Sequence, residues 1–285
     1  MRRTVLVLAA AFALGGGAKA SERVVSLGGD VTEIVFALGE GSRIVCVDET
    51  SRYPRAATAL PQVGYVRNLA AEGILSCRPD LVIAAADAGP SAVLSQLRDA
   101  GVPVVSVSGK YSFEGALTKI DDVAAALGIA KRGSDLRTKL EAEMKAVDAA
   151  LVKISDRPKA LFLLAQGPAG AQAGGDDTAA QSILAMAKAT NAGKGFHGYK
   201  PLTGEAAAAL APDVIVVADF SAAAMGGVAA MRARPEIALT PAGKSGRVIV
   251  VDTMLMLGFG PRTPEAVATL AQALHPGLKL DLAAR

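Results

Sequence analysis

The stretch Glu72-Gly73-Ile74-Leu75-Ser76-Cys77-Arg78-Pro79-Asp80-Leu81-Val82-Ile83-Ala84 changes its period in the middle. Ahead of the Arg-Pro-Asp break it reads as the body of a helix over Leu69 to Cys77. Beyond the break, the apolar run Leu81 to Ala85 reads as a strand. The chain says this twice. Glu205-Ala206-Ala207-Ala208-Ala209-Leu210-Ala211-Pro212-Asp213 runs into Val214-Ile215-Val216-Val217. In both copies the Glu stands eight residues before the Asp, and a Leu stands three residues before the Glu. A Gly-Tyr pair lies a little upstream, at 64–65 and 198–199. Gly-Gly-Asp occurs near the start of each half, at 28–30 and 174–176, followed within two residues by Thr and then an apolar helix. So many matches in one order mean two related halves.

Outward from this motif the same alternation continues. Val24 to Leu27, Arg43 to Val47 and Val102 to Val107 are strand-like in the first half, with helices over Thr32 to Leu38 and Ser91 to Ala100. In the second half Ala160 to Leu164 and Val248 to Val251 are strand-like, and Thr178 to Ala187 and Glu205 to Leu210 are helical. Strand-helix alternation predicts an α/β fold with central parallel sheets. Between the halves, Tyr111 to Leu127 and Lys131 to Ile154 carry helical periodicity. From Asp135 no Gly or Pro interrupts the chain until Pro158. The expected organisation is a lobe over 21–110, bridging helices over 111–156 and a second lobe over 157–285. The bridge is a rigid helix, and the ligand cleft lies between the lobes.

Residues 1–20 stand apart. Arg2 and Arg3 precede a short apolar run, Val5 to Leu14, and Ala18-Lys19-Ala20 is a small-x-small cleavage site, the layout of a secretory signal peptide. Setting it aside removes three basic residues, Arg2, Arg3 and Lys19, and no acidic ones. The 30 Lys and Arg of the chain then only match its 27 Asp and Glu, which removes the support for nucleic-acid binding. No later apolar run approaches the roughly 20 residues of a membrane span. The 2 cysteines, Cys46 and Cys77, sit in apolar stretches far apart; a disulfide and two buried thiols both fit an exported chain.

Enzyme chemistry has little material. The chain has no Gly-x-Ser-x-Gly elbow, no phosphate-cradling Gly-x-x-x-x-Gly-Lys loop and no His-Glu-x-x-His. Its 2 histidines, His197 and His275, are too few for a typical zinc cluster. The informative loop is Pro61-Gln62-Val63-Gly64-Tyr65-Val66-Arg67. If that loop is extended, Arg67 approaches Tyr65 from the same side. A nearby guanidinium and an Fe(III) both favour a tyrosinate, a known haem ligand. On residues alone a Gly-Tyr loop more often serves packing than ligation.

The segments Val47-Asp48-Glu49-Thr50-Ser51-Arg52-Tyr53-Pro54, Leu60 to Arg67, Ala71 to Ser76 and Pro79 to Val82 resemble the periplasmic haem-binding proteins of bacterial haem ABC importers. So do Gly198-Tyr199-Lys200-Pro201-Leu202, Glu205 and Gly258-Phe259-Gly260-Pro261-Arg262. The likeness covers nearly the whole mature chain. It implies capture of haem b, as Fe(III) hemin, in the periplasm and delivery to an inner-membrane permease by a monomer that catalyses no reaction. A siderophore or cobalamin carrier of the same fold is the alternative. It makes Tyr65 the axial iron ligand and Arg67 and Arg262 its neighbours at the haem; for Arg262 a salt bridge ordering the Gly-Pro loop stays open. Some relatives supply a second-lobe His. The matching loop here reads Ala165-Gln166-Gly167-Pro168, so Gln166 joins the pocket set and five-coordinate iron is expected. His197 and Tyr199 occupy the place of Tyr65 in the second half, and either can face the cleft. Tyr53 is expected to be structural. Glu72 and Glu205, one per lobe and early in a helix, match the carboxylates that meet permease arginines in the wider class.

Overall fold

The first half folds as β1 (Val24–Leu27), α1 (Gly29–Ala37), β2 (Ile44–Val47), a hairpin of β3 (Gly64–Tyr65) and β4 (Asn68–Leu69), α2 (Ala71–Ser76), β5 (Leu81–Ala84), α3 (Ser91–Asp99) and β6 (Val104–Ser106). These bounds come from a computed structural model that describes residues 22–165 and 170–280. The expected signal peptide and Gln166 lie outside the described residues. The four-stranded sheet has the order β2-β1-β5-β6 and every pair is parallel, as the alternation predicts. Side chains alternate between its faces. Val24, Leu81 and Ile83 enter one core with α1, while Val25, Leu27, Val82 and Ala84 enter another with α2 and α3.

Two bridging helices follow, α4 (Phe113–Ala126) and α5 (Ala130–Leu151). The sequence places a long helix here, and the contacts show why it is rigid. From α4, Leu117, Ile120, Val123 and Ala124 fill the first core; from α5, Leu140 joins them. Met144, Val147 and Leu151, farther along the same helix, fill a core of the second half. One helix is thus clamped in both lobes, at about 1.5–3 kcal/mol per buried large side chain. Gly133 lets the pair approach closely, since a Cβ there would lie 2.6 Å from that of Ala124.

The second half runs β7 (Lys159–Ala165), β8 (Ala171–Gly174), α6 (Ala179–Met186), β9 (Thr190–Asn191), β10 (Tyr199–Pro201), α7 (Gly204–Leu210) and β11 (Val214–Ala218). It continues with the short helices α8 (Asp219–Ala224), α9 (Val228–Ala233), α10 (Pro235–Ala238) and α11 (Pro241–Lys244), then β12 (Val248–Val251), α12 (Thr253–Leu257) and α13 (Thr263–Leu274). Strands β7, β9, β11 and β12 are parallel, as expected, but β8 and β10 add an antiparallel margin in the order β10-β8-β7-β11-β12. Neither added strand has the apolar run that marks the others. Ala171–Gly174 is too small to read as a strand, and Pro201 fits only because β10 is at an edge.

The repeated Pro-Asp has one job in both halves. The Asp80 carboxylate accepts from the Glu22 and Arg23 amides (2.8 and 3.1 Å), at the start of β1; that of Asp213 accepts from the Lys159 amide (2.8 Å), at the start of β7. Each Asp closes the end of the parallel strand beside its own. Cys46 and Cys77 form a disulfide, which ties β2 to the end of α2 and settles the alternative the sequence leaves open.

Candidate functional site

Loops at the carboxyl ends of the parallel strands of both sheets face one another, the usual place for a ligand in α/β folds. They enclose a cavity of about 630 Å³, within the size range of small-molecule sites. All 4 tyrosines of the chain, Tyr53, Tyr65, Tyr111 and Tyr199, line it. The apolar lining comes from both lobes, with Val66 and Ala85 on one side and Leu164, Phe220, Met254 and Leu257 on the other.

Tyr65 is held by its hairpin. Gly64 takes a φ of +102°, open to glycine at little cost, and pairs with Leu69, while Tyr65 pairs with Asn68. The Glu49 amide donates to the Gly64 carbonyl (2.9 Å), which sews the hairpin to the loop after β2. On the other side the Gly89 amide donates to the Val66 carbonyl and the Leu69 amide to the Gly89 carbonyl, both at 2.9 Å. Val66 and Leu69 are buried beneath, which leaves Tyr65 toward the cavity. The sequence brings Arg67 to Tyr65 through an extended loop; in the structure Val66 and Arg67 are instead the two turn residues of the hairpin. The encounter survives, because the turn folds Arg67 back. Its Nη1 donates to the Tyr65 phenol oxygen at 2.6 Å, and its Nη2 pairs with Asp87. Burial works against the Arg67 cation, but Asp87 and the phenol outweigh it and hold its pKa above the ordinary guanidinium value.

Arg262 also lines the cavity, with its guanidinium committed to protein. Nε and Nη2 donate to the two Glu33 oxygens at 2.9 and 2.5 Å, a bidentate bond across the lobes. Its Cζ lies 3.7 Å from the centre of the Tyr53 ring. Burial disfavours this cation too, and Glu33 more than offsets it. A salt bridge is therefore present, to Glu33 of α1. Tyr53, expected to be structural, lines the cavity, held by that stack and by a loop whose buried Asp48 accepts from Gly28, Thr50 and Ser51. A second inter-lobe link lies on the cavity floor. Lys119 pairs with Asp30 and donates to the Gly258 and Phe259 carbonyls at 3.1 and 3.2 Å. Sequence reasoning missed Asp87, Glu33, Lys119 and Tyr111, because each gains its role from a residue far away in the chain.

The second-half counterpart divides. Tyr199 reaches the cavity lining, but burial pushes its phenol up to about 12, against the Ala180 amide and the Thr178 hydroxyl, which pull it down. His197 is exposed and pairs with Asp177 at 2.7 Å, away from the cavity lining. His275 is buried and meets the Ala187 carbonyl at 3.0 Å. Glu72 and Glu205 are exposed, each at the second position of its helix, α2 and α7. Among the described residues no helix is long and apolar enough to cross a membrane.

A family model described as a periplasmic binding protein matches residues 24–254. The periplasmic heme-binding protein RhuT from Roseiflexus sp. RS-1 superposes with a TM-score of 0.86 at 42% identity, over 89% of this chain and 97% of that one. BhuT, a periplasmic heme-binding protein solved in complex with two hemes, gives 0.83 at 43% identity, over 88% and 97%. By sequence the chain is 31% identical over 261 residues to the uncharacterized ABC transporter substrate-binding lipoprotein YvrC of Bacillus subtilis, 90% of this chain and 81% of that one. A vitamin B12-binding protein of Vibrio parahaemolyticus matches at 38% identity over 99 residues, 35% of this chain and 34% of its own.

Proposed function

We propose, for a chain that belongs to the periplasmic binding protein family, that it captures Fe(III) haem in the cleft between its lobes and hands it to an ABC permease. The observation that carries this reading is Tyr65, a phenol on a doubly anchored hairpin, facing an apolar cavity with an arginine donating to its oxygen. Apolar contact with the porphyrin supplies most of the affinity and the Tyr65 phenolate holds the iron. The Arg67 guanidinium, which already donates to the phenol oxygen, is placed to offset the charge of an iron-bound phenolate. Arg262 stands at the wall of the same cavity through its stack with Tyr53. The chain is a carrier and performs no reaction. The two solved relatives named for heme, at more than 40% identity over nearly their whole length, support haem over the corrinoid. The vitamin B12-binding relative matches only about a third of the chain.

Residues 1–20 are read as the export signal, residues 21–110 and 157–285 as the lobes and 111–156 as the bridge. Glu72 and Glu205 are read as the carboxylates that orient a monomeric carrier on its permease. Titration of the purified chain with haemin, followed by visible absorbance, tests the ligand. Saturable binding with the spectrum of a phenolate-ligated Fe(III) porphyrin is expected, and cyanocobalamin in excess does not displace it. Binding of cyanocobalamin with no haemin spectrum reverses the assignment.

A further inference from the structure

We infer that Asp87 is a positioning residue that reserves Arg67 for the Tyr65 phenol and withholds it from the carboxylates of the ligand. The inference rests on the reading of Tyr65 as the iron ligand and extends it to a residue that no ligand need touch.

Arg67 is half exposed and long, so nothing in its own backbone fixes which way the guanidinium points. The structure fixes it at two points. One terminal nitrogen donates to the phenol oxygen at 2.6 Å and the other pairs with Asp87. A planar guanidinium held by one edge presents its remaining donor in a set direction. Asp87 can act as the anchor because it is itself placed. It stands in the loop after β5, and that loop is bonded to the hairpin at its turn and at β4, through Gly89 to Val66 and Leu69 to Gly89. Arg67, Asp87 and Tyr65 therefore move as one body.

The charge of Asp87 has a second effect. An arginine with an empty side would pair with a propionate of an incoming haem, and the phenol would lose its donor. With a carboxylate already on that side, a second anion there is repelled. Tyr111, another phenol of the cavity lining, is held above its ordinary value by burial and then by the Asp87 charge, with Arg67 pulling the other way. Asp87 thus leaves Tyr65 as the phenol to which the arginine is bonded.

The test is stopped-flow release of haemin from preloaded protein to an acceptor, with absorbance read in the same sample. Asp87→Ala is expected to speed release roughly three- to tenfold and to move the phenolate-to-iron absorption band as Arg67→Ala does. The double variant is expected to be no faster than Arg67→Ala alone, the sign of residues acting through one another. Asp87→Asn keeps an oxygen acceptor for Arg67 but not the charge, so its release should fall between those of the parent and Asp87→Ala. Unchanged release and band in Asp87→Ala, or effects that multiply in the double variant, overturn the positioning role. If Tyr65→Phe keeps the parent spectrum, the ligand reading itself has failed, which the Asp87 variants alone cannot produce.

Discussion

Gly64-Tyr65 and Gly198-Tyr199 begin alike in the two halves and end in different chemistry. Both glycines take a positive φ and both tyrosines reach the same cavity. Two residues on, the first copy has Arg67 and the second has Pro201. The first Tyr sits in a small hairpin with a two-residue turn, so Arg67 folds back and donates to the phenol. The second lies in an edge strand paired to β8, its ring against Gly174, and burial dominates at its phenol. A repeated Gly-Tyr pair therefore delivers a phenol to the cavity twice, while the neighbours decide what each phenol oxygen meets. Its Glu and Asp members behave otherwise. Glu72 and Glu205 stay equivalent and exposed, and Asp80 and Asp213 close equivalent strand ends.

The contrast between the two tyrosines can be broken most directly by deleting each phenol. Tyr65→Phe should abolish the phenolate-type haemin spectrum and weaken binding by roughly a thousandfold, about 4 kcal/mol. Tyr199→Phe should keep the spectrum and change affinity by less than about tenfold. Equal losses in a haemin titration would mean the two halves are functionally alike. The disulfide is a second asymmetry, since it staples only the first lobe. Opening the loop closed by Cys46 and Cys77, which are 31 positions apart, by a double Ala exchange should cost about 3–4 kcal/mol in denaturant unfolding. The ligand spectrum should remain as long as the protein is folded.

Where the halves are equivalent, equal effects are expected. Glu72→Gln and Glu205→Gln should each slow association with permease vesicles, the double exchange more than either, with haemin binding unaltered. A double exchange that leaves association and uptake at parent levels ends the docking role. The smallest effect concerns pH. The Tyr199 phenol has its folded pKa raised to about 12, from an ordinary value of 10.0. Its contribution to stability is therefore complete below pH 10 and is lost as pH rises through 12. An ultraviolet titration of the ligand-free protein should show a late phenol step that Tyr199→Phe removes.

Much of this was legible in the residues. Apolar runs at strand length, helical spacing and the repeated Glu-Pro-Asp grammar determined two α/β halves with parallel sheets, a long joining helix, and Tyr65 beside Arg67. Those signals are local, written within a dozen residues, where period and turn chemistry act. The antiparallel margin of β8 and β10 was not legible, because Ala171–Gly174 has no large apolar side chain to leave a pattern. Nor were the Cys46–Cys77 bond, the Arg262–Glu33 bridge, the Tyr53 stack or the Asp87 anchor. Each joins residues that the chain separates and only folding brings together, and which carboxylate an arginine meets depends on distance in space. The sequence by itself set what each lobe is made of. The tertiary structure decided which side chains share the cleft and which are already taken by one another.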